Sequence, residues 1–239
     1  MRVSVIIPTH NEAQAIGRVL ADLPSDLITE VIVVDSNSTD GTPEIAASMG
    51  ARIIQEPRRG YGQACLSGLD AANSPGIVVF LDGDYSDRPS ELPILLEPIM
   101  RGDADIVLGS RLGKKRIPAA LPWHQAFGNR LAAGLIRFLY GVDITDLGPF
   151  RAGRAEVLRA LELRETTYGW AVEMILKGAL AGFRLVEVPV TYYPRIGKSK
   201  ISGTLKGTIG AAWFILSLMV RYWFKRRKTG IRPSRVSAC

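Results

Sequence analysis

Three acids fall within six residues, at Asp82, Asp84 and Asp87 in "FLDGDYSDRP", where an apolar run from Ile77 to Leu81 stops. Carboxylates at the end of a buried strand are costly unless something compensates their charge. A divalent cation does so. Mg2+ or Mn2+ takes oxygen ligands, usually one or two carboxylates with phosphate oxygens and water completing the shell. Side chains alternate along an extended chain, so Asp82 and Asp84 point to the same side and can clamp one metal. The competing reading is an Asp-rich turn that caps the next helix, a role that suits Asp87 ahead of Arg88-Pro89.

The elements that must carry these residues alternate along the first 110 positions. Apolar, β-branched runs occur at 3–9, 30–36, 51–55, 76–84 and 104–110. Helix-like segments lie between them at Glu12–Leu23, Pro43–Met49, Gly62–Ala72 and Glu91–Met100. Ile16, Val19, Leu20 and Leu23 keep one face of the first helix apolar. Strands without polar alternation are buried on both faces, as in a parallel sheet. The series therefore predicts an open α/β sheet with right-handed crossovers, whose ligands bind beyond the carboxyl ends of the strands. "PTHNE", "DSNSTDGT", "DGDYSD" and "GSR" all stand at such ends. In "GYGQACLSG", Gly60, Gly62 and Gly68 read as a tight turn and helix packing, not as a phosphate loop.

Beyond Arg111 the pattern loosens. "LGKKRIPAALP" predicts an exposed basic loop, with Lys114, Lys115 and Arg116 placed to close over substrate or touch anionic headgroups. Helices are expected from about His124 to Tyr140, near Arg154–Leu161 and over "WAVEMILKGALAGF", and a strand over 184–193. His124 reads as structural.

The 239 residues suffice for one large domain or a domain with an appendage, and 47% hydrophobic with 22% charged residues is ordinary for a globular chain. Cys65 and Cys239 have no metal-ligand spacing, which suggests a reduced, cytosolic protein. No signal-peptide pattern precedes the first strand. The net charge of +7 is uneven: from Arg195 onward there are eleven Lys or Arg and no acid. A nucleic-acid binder or a membrane-surface protein has this balance. The apolar stretch Ile209–Val220 has 12 residues, against about 20 for a spanning helix. Trp213, Tyr222, Trp223 and the following "KRRK" fit a helix lying in the membrane interface. The other reading is a core helix.

The ordered set "VIIPTHNEAQAIGRVL", "VIVVDSNSTDGT", "RRGYGQACLSGL", "VVFLDGDYSDRP" and "VLGSR" resembles the nucleotide-sugar domain of family-2 glycosyltransferases. "DLGPFRA", "YGWAVEM", "EVPVTYYPR" and "RIGKSKISG" resemble the polyprenyl-phosphate branch of that family, which includes dolichyl-phosphate mannose synthases and bacterial prenyl-phosphate glucosyltransferases. The resemblance covers roughly residues 3–205. It implies a GT-A (Rossmann-like) α/β fold, a mostly parallel open sheet with helices on both faces, to which the apolar stretch near the end adds a C-terminal amphipathic or apolar helix. Residues 1–202 would form the catalytic domain, with a nucleotide-sugar half to about 111 and an acceptor half from 112, and 203–239 a membrane-associating tail.

The resemblance also implies roles. Pro8, His10, Glu12 and Asp35 would contact the nucleoside, with Ser36 where many relatives carry a second acid. Asp82, Asp84 and Ser86 would hold Mg2+ or Mn2+ on the diphosphate, Gly83 would allow close backbone approach, and Arg195 and Lys200 would grip the diphosphate. The competing reading of Asp35 is a carboxylate bonding its own turn, and that of Arg195 and Lys200 a solvated basic loop. A phosphate acceptor needs no general base, because its second pKa is about 6. It does need forked cations, for which Arg111, Arg130 and Arg151 are candidates. The implied activity is inverting transfer of a hexose from a nucleotide sugar to a polyprenyl phosphate, by a peripheral enzyme at the cytoplasmic membrane face. The partners would be the donor, the lipid phosphate and anionic membrane, not nucleic acid; the last helix can instead pack on the domain or pair in a homo-oligomer. One alternative uses a hydroxyl acceptor and needs a base, for which Asp146 and Glu173 are the remaining carboxylates. Another is a non-enzymatic basic adaptor with a decayed nucleotide site.

Overall fold

The computed structural model describes residues 1–112, 123–197 and 216–224. Lys114, Lys115, Arg116, Lys200 and most of the tail lie outside them, as does the side chain of His124. Seven strands form one sheet in the order β3-β2-β1-β4-β6-β5-β7. These are β1 (Val3–Thr9), β2 (Glu30–Asp35), β3 (Arg52–Gln55), β4 (Ile77–Phe80), β5 (Ile106–Ser110), β6 (Arg151–Arg154) and β7 (Leu185–Pro189). All neighbours run parallel except β6, which is antiparallel to both β4 and β5.

The four strands β1, β2, β4 and β5 form where continuous apolar runs predict them. Their side chains divide between two layers. Val3, Val5, Ile7, Val79 and Leu81 pack with α1 (Ile16–Ala21), α2 (Thr42–Ser48) and α4 (Leu92–Met100). Ile6, Val34, Val78 and Phe80 pack on the other face with α3 (Tyr61–Ala71), α5 (Trp123–Tyr140), α6 (Ala155–Ala160) and α7 (Trp170–Leu180). Helices thus cover both faces, as burial of both sides of each strand requires. β6 was not foreseen. Its sequence "RAGR" has no apolar alternation, and it pairs between β4 and β5 with the buried Arg151 in register with both Phe80 and Leu108.

Residues 216–224 are helical and join the second layer: Leu218, Met219 and Tyr222 are buried in it, while Leu216, Val220 and Phe224 face out. Among the described residues no helix is long and apolar enough to cross a membrane.

Candidate active site

The chain leaves β1 toward one neighbour, β2, and later inserts β4 on the other side. Strand order reverses there, and in open α/β sheets the crevice at such a point holds the ligand. A cleft of about 480 Å3 opens at that place. It is lined by Pro8 near the end of β1, His10 and Glu12 after it, Ser36 after β2, and Asp82, Gly83 and Asp84 after β4, with Arg195 also in the lining. Six of the residues expected to bind donor or metal therefore meet in one cleft, and Gly83 with them. A Cβ at Gly83 would lie 2.9 Å from Thr9 Cγ2, so this position admits nothing larger.

The loop after β1 is braced by the loop after β2. Asn11, in the left-handed region at φ 54, accepts from Thr39 N at 2.8 Å. Asn11 N donates to Ser38 Oγ at 2.8 Å, and Glu12 N to Thr42 Oγ1 at 2.8 Å. His10 Nδ1 lies 2.7 Å from the Ser36 carbonyl. Asp35 belongs to this brace and does not line the cleft. Its carboxylate accepts from Ser38 N at 3.0 Å and Ser38 Oγ at 2.5 Å, so its own turn occupies it.

The two D-x-D carboxylates differ. Tyr85 at φ 60 folds Ser86 back, and Asp84 Oδ1 accepts from Ser86 N at 2.9 Å and Oγ at 2.6 Å. Asp84 Oδ2 meets Arg195 Nη2 at 3.3 Å, and the same nitrogen reaches Glu12 Oε1 at 3.3 Å. Asp82 Oδ1 is buried with no hydrogen-bond partner. Burial first, then repulsion from Asp84, pushes the Asp82 carboxyl up to about 7. Asp87 is 1% exposed with neither oxygen paired, and burial with repulsion from Asp82 raises it well above the carboxylate range. The backbone also ties the Arg195 segment to this loop: Tyr193 N donates to Ser86 O at 2.8 Å and Ile196 N to Asp84 O at 3.0 Å.

The arginines expected to hold an acceptor phosphate are placed differently. Arg111 donates from Nε and Nη2 to both oxygens of Asp146, at 2.7 and 2.9 Å, and Asn129 Nδ2 adds a bond at 2.8 Å. Its fork is already filled. Arg151 is buried, donating to the carbonyls of Gly148 and Ala171 beneath the sheet end. Neither lines the cleft. Arg130 is exposed on α5 and is also outside the cleft lining.

Sequence reasoning missed Arg59, Tyr61, Thr167 and Tyr168, which complete the cleft wall. Tyr61 was hidden in a glycine-rich stretch read only for packing, and that packing is present. A Cβ at Gly62 would lie 2.3 Å from Glu165 O and 2.7 Å from Trp170 Cβ. The "YGWAVEM" motif was the available signal for Tyr168.

The fold is of the GT-A type. Residues 4–162 match the model of glycosyl transferase family 2, and the chain belongs to that family. It is 38% identical over 202 residues to a dolichyl-phosphate hexose transferase of Haloferax volcanii, covering 83% of this chain and 86% of that protein. It is 35% identical over 226 residues to the undecaprenyl-phosphate mannosyltransferase of Micrococcus luteus, covering 87% and 90%. Among solved structures, glucosyl-3-phosphoglycerate synthase of Mycobacterium tuberculosis, in complex with Mn2+, UDP and phosphoglyceric acid, superposes with a TM-score of 0.74 at 23% identity, covering 93% of this chain and 78% of that one. The chain is thus a glycosyltransferase, and the adaptor alternative falls.

Proposed function

We propose that this glycosyltransferase moves a hexose from a nucleoside-diphosphate sugar to a polyprenyl phosphate, with inversion, at the cytoplasmic membrane face. The observation that carries the donor half of this reading is the cleft itself: an unpaired Asp82 oxygen beside Asp84, facing a guanidinium that is only loosely held. Among the described residues no three His, Cys, Asp or Glu side chains converge on one point. That suits Mg2+ or Mn2+ on a diphosphate, where two carboxylates suffice and phosphate and water supply the rest. Asp82 and Asp84 would hold the ion, with the Ser86 hydroxyl beside them. When bound, the metal neutralises charge developing on the departing diphosphate. Arg195 adds a fixed cation at the same place, and Lys200 is proposed to act with it. Pro8, His10, Glu12 and Ser36 would seat the nucleoside, and Gly83 lets the backbone close on it.

The acceptor half rests on chemistry and on the relatives named for polyprenyl-phosphate transfer. A hydroxyl acceptor needs a base. Asp146 is taken up by Arg111, and Glu173 is buried against Lys177, Tyr222 and two backbone N–H groups. Glu12 and Asp84 are bound to Arg195, and Asp82, whose Oδ1 has no partner, is assigned to the metal in this reading. A phosphate dianion needs no base, only cations to hold it. Arg130, exposed on α5, and the basic residues 114–116 are proposed for that role. α5 also exposes Phe127, Leu131 and Phe138, and the 216–224 helix exposes Leu216, Val220 and Phe224. These apolar side chains and the eleven basic residues from Arg195 onward suit an anionic membrane surface.

The test is transfer itself. Purified protein with Mn2+, labelled UDP- and GDP-hexoses and undecaprenyl or dolichyl phosphate should yield a labelled product extractable into organic solvent. Label that stays in the aqueous phase with every donor and acceptor overturns the proposal.

A further inference from the structure

Glu173 has no part in the donor cleft, yet it is fully buried and four groups converge on it. Its Oε2 accepts from the backbone N–H of Arg164 and of Glu165, both at 2.8 Å. Its Oε1 accepts from Tyr222 Oη at 2.8 Å and pairs with Lys177 Nζ at 3.0 Å. The carboxylate therefore joins three elements: α7, which carries it; the 216–224 helix, which supplies Tyr222; and the loop between α6 and α7. Arg221 makes a second, longer contact from the same helix to that loop, 3.7 Å from Glu165.

That loop is the far wall of the donor cleft. Thr167 and Tyr168 line the cleft. Just before them, Thr166 O accepts from Gln63 N at 2.8 Å, which pins the loop to the first turn of α3. The fit leaves no slack: a Cβ at Gly60 would lie 2.1 Å from Thr166 O, and one at Gly62 2.3 Å from Glu165 O. Tyr61 stands between those glycines and lines the cleft beside Asp82. A displacement of residues 164–166 thus reaches both the Tyr168 wall and the Tyr61 floor.

We infer that Glu173 is a positioning residue that ties the C-terminal helix to the wall of the donor cleft, so that losing the Tyr222 contact loosens the 164–168 loop and weakens donor binding. The outward face of the helix, Leu216, Val220 and Phe224, takes no part in this clamp. The tail then serves the donor site as well as any membrane contact. The inference rests on the proposed reading of the cleft as the nucleotide-sugar site.

The test uses full-length protein without lipid or acceptor. Tyr222→Phe removes one oxygen and keeps the ring in the core; Glu173→Gln keeps the shape and removes the charge. Affinity for UDP and for GDP with Mn2+ is measured by calorimetry, and hydrogen exchange is followed over residues 162–169. Both variants should bind the preferred diphosphate about 3- to 10-fold more weakly and exchange faster in that segment. Leu95→Ala, on the opposite face of the sheet, controls for general destabilisation: it should lower Tm at least as much yet leave affinity unchanged. Tyr222→Phe protein with wild-type affinity and wild-type exchange overturns the clamp. An affinity loss matched by Leu95→Ala also overturns it. Wild-type protein that binds neither diphosphate overturns the donor reading instead, and exchange over 162–169 in Tyr222→Phe still decides the clamp.

Discussion

Two arginine–carboxylate pairs stand near the ends of the same sheet, and they use the same chemistry for opposite ends. Arg111 is buried, meets both oxygens of Asp146 at 2.7 and 2.9 Å, and shares that carboxylate with Asn129 and two backbone N–H groups. Arg195 is 29% exposed along its side chain, spreads one nitrogen between Asp84 and Glu12 at 3.3 Å each, and leaves its Nε unpaired. A filled fork holds structure together; a half-filled one, facing a cleft, is free to exchange its carboxylates for a ligand's phosphate. The difference is one of burial and geometry, because both are arginines paired with carboxylates.

The largest effect should come from breaking the filled pair. Asp146→Ala strands a buried guanidinium and should cost about 3–5 kcal/mol of folding stability by urea denaturation. Burial raises the Asp146 carboxyl and Arg111 more than reverses this, so its pKa is lowered. The sign follows: its stabilisation is present above the ordinary carboxylate pKa and disappears as pH falls through the lowered folded value.

Asp82, near both arginines, behaves oppositely. A carboxyl pushed up to about 7 destabilises the fold as pH rises from the ordinary value toward 7. Metal-free protein should lose on the order of 2–4 kcal/mol across that window, and Asp82→Asn should flatten the curve. An unchanged slope in the variant would assign the titration to another group.

Arg195→Ala should weaken diphosphate binding by about 1.5–3 kcal/mol while leaving the urea midpoint close to wild type. The converse result, a lost midpoint with intact affinity, would make Arg195 structural and erase the contrast with Arg111. The smallest effect is expected at Glu12→Gln. It removes one side of a partly exposed ion pair and should change stability by less than about 1 kcal/mol in thermal melts.

Much of this arrangement was legible in the sequence. β1, β2, β4 and β5 are buried on both faces, so they read as unbroken apolar runs, and the polar ends of three of them supply the cleft. The Asp82 and Asp84 pair was readable from its spacing, and Arg195 from the resemblance its motif carries. Other features depend on tertiary register. β6 has a buried arginine where a strand pattern expects an apolar residue. Asp35 and Asp82 both end strands as acids, and only the fold shows that Ser38 satisfies one while the other keeps a buried oxygen without a partner. Arg111 read as a phosphate ligand because nothing local signals that Asp146, 35 positions away, fills its fork. The last helix left two readings open in the sequence, interfacial or core, and residues 216–224 bury Leu218, Met219 and Tyr222 while Leu216, Val220 and Phe224 stay exposed.

Under the proposed function a lipid phosphate, and not a hydroxyl, attacks the donor. The direct measurement offers the protein Mn2+, its preferred labelled sugar nucleotide and either a polyprenyl phosphate or the matching polyprenol, with mass spectrometry of the extracted product. The expected outcome is a hexosyl polyprenyl phosphate from the first and no product from the second. Equal transfer to the alcohol, or transfer only to the alcohol, would contradict it and would point to Asp82, the cleft carboxylate with an unpaired oxygen, as a base and not only a metal ligand.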